Sequence, residues 1–257
     1  MWTLSESVTW HESISGPAYQ IQLDGAIEEG DDPGIVFMRA CDLARDVDRA
    51  FNYATGWPLN GKTFRYLIQP QQVPRAWSLD ATSKELIAAD DWELLDGIAS
   101  RPRTRVLPAT PLDDTLRALE AIGSADTTTA ELGQLHYGAL TTHDPSLAPL
   151  LLSKGLELGR ELLPGMDLTA KQAAMPPAVI ASLPRALPWF FDISNNRRET
   201  RHLVDKRSAL ALKDELSENE RDDFLNGADL ILHYLVVSRL NLPLVLMATD
   251  GSSRVAS

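Results

Sequence analysis

The chain has one cysteine, Cys41, among 257 residues. No disulfide can close within a single copy, so a packed core must supply the stability, and a reducing cytoplasm is the expected location. Long apolar runs are also missing. The most hydrophobic stretches, such as L-P-L-V-L-M-A at 242–248, fall well short of the ~20 residues that cross a bilayer, so no membrane association is expected. The opening M-W-T-L-S-E-S-V-T-W has neither a basic start nor an apolar segment and does not read as a signal peptide. Positive charge is scarce: 24 Lys and Arg stand against 36 Asp and Glu, a formal net charge of −12. That balance argues against a surface coated for general nucleic-acid binding. There is no G-x-S-x-G nucleophile signature. The acidic pairs Glu28/Glu29, Asp31/Asp32, Asp90/Asp91 and Asp113/Asp114 have no His or Cys beside them at ligand spacing. They read as helix starts and solvated turns, so no metal and no cofactor is expected.

What the chain does have is an uneven charge distribution. Residues 1–133 carry 11 basic against 21 acidic side chains, whereas residues 134–257 carry 13 against 15. The densest positive spot is Arg197–Arg207, where Arg197, Arg198, Arg201, Lys206 and Arg207 outnumber Glu199 and Asp205. Within it, in F-F-D-I-S-N-N-R-R-E-T-R-H-L-V, Arg197 and His202 are separated by four residues. A guanidinium binds phosphate oxygens in a fork, and an imidazole moves protons near neutral pH. An arginine and a histidine little more than a helical turn apart therefore suit a phosphodiester. The spacing alone is common, and a helix end carrying basic residues explains the charge equally well. The remaining histidines, His11, His136, His143 and His233, read as isolated core or surface residues.

The first half reads as α+β. V-T-W and A-Y-Q-I-Q-L are strand-like, a helix is expected over 36–53 with Val36, Ala40, Leu43, Ala44, Val47 and Phe51 on one face, and T-F-R-Y-L-I-Q is a further strand ended by Pro70. Short helices are expected over 90–98 and 113–122. Five of the six tryptophans fall in this half. S-A-D-T-T-T at 124–129 marks the boundary, giving an acidic α+β domain at 1–126 and a helical domain at 127–257. In the second half Leu132, Leu135, His136, Ala139 and Leu140 share a helix face. Asp144-Pro145 opens a helix expected to reach Leu163. Pro177–Ile193 is expected as a third helical segment, broken or kinked by Pro184 and Pro188. S-E-N-E at 217–220 is a capping box leading into the stripe Phe224, Ala228, Ile231, Leu232 and Leu235, with Asn241 and Pro243 as its end.

Gly56–Thr63 reads G-W-P-L-N-G-K-T, a full match to the phosphate-binding pattern G-x-x-x-x-G-K-[ST]. That pattern works only between a buried strand and a helix N-terminus. Here a helical pattern precedes it and an extended one follows, so a loop closed by an Asn60-Gly61 turn is the preferred reading, and nucleotide binding through Lys62 and Thr63 the lesser one.

The order of the second half, with H-Y-G-A-L-T-T-H-D-P-S-L-A-P-L-L-L-S-K-G-L-E-L-G-R-E-L, then R-R-E-T-R-H, then L-S-E-N-E-R-D-D-F-L-N-G-A-D-L-I-L-H-Y-L, resembles the HEPN superfamily, in particular its Apea-like branch, over roughly residues 130–245. The resemblance implies an all-α bundle that commonly dimerises. It implies a metal-independent ribonuclease whose motif arginine is Arg197 and motif histidine His202, as in toxins and defence effectors. Arg198 stands at the motif's polar position, where the family usually has Asn, Asp or His. Asn196, Arg198, Arg201, Lys206 and Arg207 would bind substrate, and RNA would be the partner. The acidic first domain resembles no family and would serve as a sensor or regulator meeting a protein or ligand. A non-catalytic HEPN-like binding module is the alternative.

Overall fold

The computed structural model describes residues 2–11, 16–25, 32–55, 65–68, 75–79, 86–88, 111–142, 146–196, 216–247 and 253–256. The chain divides into two compact units, Met1–Ala99 with Leu107–Leu119, and Ser100–Val106 with Glu120–Ser257.

In the first unit, β1 (Trp2–His11) and β2 (Gly16–Gly25) form an antiparallel hairpin with Trp2 opposite Gly25 and His11 opposite Gly16. Helix α1 (Pro33–Thr55) follows. Proline at its first position has no N–H to lose, and the Asp32 carboxylate accepts from the Ile35 amide at 3.2 Å, which caps the start. Val36, Ala44, Val47 and Phe51 recur at helical spacing and are all buried. On the exposed side Arg45 pairs with Asp42 at 2.5 Å, and Arg49, itself mostly buried, pairs with Asp46 at 2.8 Å. Near the C-terminal end the burial closes round the helix and takes in Asp48, Asn52 and Tyr53. Burial pushes the Tyr53 phenol far above its ordinary range, with Arg49 opposing in part. Strands β3 (Arg65–Ile68), β4 (Arg75–Leu79) and β5 (Leu86–Ala88) form an antiparallel meander. Helix α2 (Pro111–Gly123), in which the division between units falls, again begins at proline with Asp113 and Asp114 in its first turn.

The expected α+β domain is corrected by this arrangement. Helix makes up 78% of the residues described with their side chains. The strands are two separate local ribbons, and among the described residues no helix packs broadly on either of them. An α+β domain needs a helical layer covering one face of a sheet. Alternating side chains signal an extended backbone and carry no information about whether a helix will lie on it.

The second unit is a bundle: α3 (Thr127–Thr141), α4 (Leu147–Arg160), α5 (Leu168–Ala173), α6 (Pro177–Ser182), α7 (Leu187–Asn196) and α8 (Glu218–Arg239). Its core is Leu132, Leu152, Leu156, Leu187, Phe190, Ile193, Phe224, Ile231 and Leu232, each under 2% exposed. Each such side chain contributes roughly 1.5–3 kcal/mol by leaving water. Small residues let the helices approach closely. A Cβ on Gly155 would lie 2.6 Å from Leu232 Cδ1, and one on Gly159 would lie 2.6 Å from Leu235 Cδ1.

The ends are specified by their caps. Asp126 caps α3 by accepting from the Thr129 amide at 2.9 Å, and Arg239 at the end of α8 donates to the same carboxylate at 2.6 Å. Ser217 and Glu220 form the capping box of α8. At its other end Asn241 takes a left-handed φ of 54°, and the Leu242 amide reaches back to the Val237 carbonyl at 2.8 Å. Lys171 is buried, and its Nζ donates to the carbonyls of Arg160 and Leu163, both at 2.7 Å, closing the end of α4.

The segment 177–193, expected to be broken or kinked, is broken into two helices. Pro184 lies in the break, where it has no amide to give, and Pro188 sits in the first turn of α7, where none is needed. The helical half departs from expectation in two places. Helix α5 is additional, capped by Asp167. The unit is also not all-α, since β6 (Leu244–Met247) and β7 (Ser253–Ala256) pair as an antiparallel hairpin. Among the described residues no helix is long and apolar enough to cross a membrane.

Candidate functional site

Helix α7 leads into the basic run. It buries Leu187, Phe190, Phe191, Ile193 and Ser194 and turns Asp192 outward. Gly227 on α8 is what admits the Phe190 ring: a Cβ there would stand 2.1 Å from Phe190 Cζ. In the last turn Asn195 Nδ2 donates to the Phe191 carbonyl at 2.7 Å, and Asn196 Nδ2 donates to Asp192 Oδ1 at 2.5 Å. Asn196 ends the helix, partly exposed. Of the residues the sequence selects, Asn196 alone is among those described. Arg197, Arg198, Arg201, His202, Lys206 and Arg207 lie outside the described residues, as does Gly56–Thr63. The latter follows α1 and precedes β3, the reverse of the strand-loop-helix order a phosphate-binding loop requires.

The unit also contains a polar group in its core that the sequence reading does not assemble. His136 on α3 and Asp229 on α8 are 0% and 2% exposed, and His136 Nε2 lies 2.9 Å from Asp229 Oδ1. A carboxylate can only accept, so Nε2 carries the hydrogen and donates it. His233, one turn beyond Asp229 and also buried, sets its ring edge-on to His136 with centroids 6.0 Å apart. The two histidines read as isolated in the sequence are therefore neighbours. The signal was present as Asp229 and His233 four apart on α8 and His136 on the apolar face of α3. What joins them is a contact between residues 93 apart. With the pair sealed from solvent, it serves to fix how α3 and α8 meet. Among the described residues no group of three or more His, Cys, Asp and Glu is arranged to hold a metal.

On the surface, Arg185 Nε donates to Asp223 Oδ2 on α8 at 2.7 Å, and its guanidinium lies 5.8 Å from the centre of the Trp189 ring. Arg160 lies at the same distance from the Phe191 ring.

No family model, curated protein or solved structure matches the chain.

Proposed function

We propose that the helical unit is a metal-independent endoribonuclease module of HEPN type, in which Arg197 and His202 act on an RNA phosphodiester. The observation that supports the reading is α7. It is anchored in the bundle by five buried residues and ends at Asn196, immediately before Arg197. The basic run thus begins at the end of a helix whose position packing determines.

The chemistry follows from the side chains. His202 takes the proton of the 2′-hydroxyl, the 2′-oxygen attacks phosphorus, and the 5′-oxygen leaves and receives a proton. Arg197 binds the phosphate oxygens as charge builds on them. A two-fold dimer pairing two motifs supplies both a base and an acid. In this reading the chain is a cytoplasmic toxin or defence effector, and its first unit senses or regulates. Arg198 at the motif's polar position favours the second reading, a non-catalytic HEPN-like module.

The test is cleavage of single-stranded RNA by the full chain in EDTA. Expected are 2′,3′-cyclic phosphate ends, a mass near twice 28.3 kDa by light scattering, and a loss of roughly 10²–10⁴-fold in His202→Ala. Arg197→Lys should restore only part of what Arg197→Ala loses, because an ammonium cannot form the fork. Absence of metal-independent cleavage, or equal cleavage by His202→Ala, removes the nuclease reading and leaves the binding module.

A further inference from the structure

We propose that His136, Asp229 and His233 form an acid-sensitive latch between α3 and α8: the contact stays closed while at most one of the two imidazoles is charged, and a second proton opens it. The inference is independent of the nuclease reading, because all three groups belong to the core of the bundle.

The three side chains are 0%, 2% and 1% exposed. His136 reaches from α3 to Asp229 at 2.9 Å, so a proton on the second nitrogen of its ring is balanced by a carboxylate in direct contact. His233 stands one turn further along α8, its ring centre 6.0 Å from that of His136 and the two planes at 64°. A charge on His233 therefore lies beside the charge on His136, in a space closed to water. Burial opposes ionisation of an imidazole, and so does a like charge next to it.

Among the described residues, the other charged side chains of α3, α4, α7 and α8 reach solvent at least in part. Glu131 of α3, Lys154 and Glu157 of α4, Asp192 of α7 and Arg239 of α8 are exposed, and the phenols Tyr137 and Tyr234 are half-buried. Lys171 of α5 is buried, but it is held by the carbonyls of Arg160 and Leu163.

In the unfolded chain both imidazoles take a proton at the ordinary value, about 6.5. The folded cluster takes one fewer. Its stabilisation is then complete above that value and is lost as pH falls through it, with the unfolding equilibrium constant rising up to about tenfold per pH unit. Carboxylates titrate mainly near pH 4 and below, so a window from about pH 7.5 to 5 isolates the histidines.

The test is urea unfolding of the full chain across that window, for wild type and for His233→Gln, which cannot charge. The ratio of the two unfolding constants, wild type over variant, should rise roughly thirtyfold from pH 7.5 to 5. A fixed packing loss in the variant cancels, since the change of the ratio with pH is what is read. A ratio that stays constant or falls overturns the latch, because His233 then holds its proton as readily folded as unfolded. If His233→Gln does not fold, the wild-type chain decides, by nuclear magnetic resonance of carbon-13-labelled imidazoles. Of its five histidines, at least one should remain neutral in the folded chain at about pH 6. Five imidazoles protonated there overturn the proposal.

Discussion

A carboxylate with 2% of its surface exposed is costly to keep without a strong donor, and Asp229 is kept because His136 donates to it across the α3–α8 contact. Asp229→Ala leaves a fully buried imidazole without that acceptor, so it should lower unfolding free energy by about 2–4 kcal/mol, read from the urea midpoint at unchanged slope. Removing an exposed acid such as Asp192 should shift the same midpoint very little. Asp126 makes a different kind of contribution. The Thr129 amide, the Thr129 hydroxyl and Arg239 hold its carboxyl at about 2, below the ordinary 3.8. A folded value below the unfolded one means its stabilisation is complete above the unfolded value and disappears as pH falls toward the folded one. Asparagine keeps the cap and loses the charge. The difference in thermal midpoint between wild type and Asp126→Asn should therefore be present at pH 6, shrink from about pH 4 downward, and vanish near pH 2. A difference that grows on acidification would contradict that assignment.

At the level of elements, the closest approaches are set by glycine, and their tolerance depends on what lies opposite. A methyl on Gly155 meets the tip of Leu232, which can turn aside. A methyl on Gly227 meets the Phe190 ring at 2.1 Å, and that ring is 0% exposed and packed against Trp189 and Phe224. Gly227→Ala should destabilise by about 3 kcal/mol and Gly155→Ala by about 1, the upper and lower parts of the usual range for overpacking; equal thermal midpoints would count against a rigid α7–α8 contact. The same distinction governs what could be read from sequence. The α8 stripe, its capping box and its end at Asn241 are local patterns, and each was legible because the residues involved lie within a turn of one another. Burial of α1 by Val36, Ala44, Val47 and Phe51 was legible for the same reason. That among the described residues no helix packs broadly on the strands was not, because layering depends on contacts between distant segments. Pairing of His136 with Asp229, and of Arg185 with Asp223, is equally long-range. Of the site chosen from sequence, Asn196 is the member with described geometry, and it owes its position to the buried face of α7.

Across the second unit as a whole, contacts are densest where α4 meets α3 and α8 and sparser around the short helices α5 and α6. The glycines Gly155 and Gly159 bring the α4 backbone close against Leu232 and Leu235, so that a Cβ at either would lie 2.6 Å from a leucine Cδ1. That feature has a consequence in time as well as in space. For solvent to reach the amides of 152–159 and 228–237, the α4–α8 contact must come apart, and little short of unfolding the bundle can do that. The amides of α5 and α6 sit in helices of six residues each, which can fray without disturbing that seam. In deuterated buffer, peptides covering α5 and α6 should gain mass first. Those covering 152–159 and 228–237 should gain it last and together, at a rate that tracks global unfolding as urea is added. Separate rates for those two peptides would show that the seam between α4 and α8 opens in pieces.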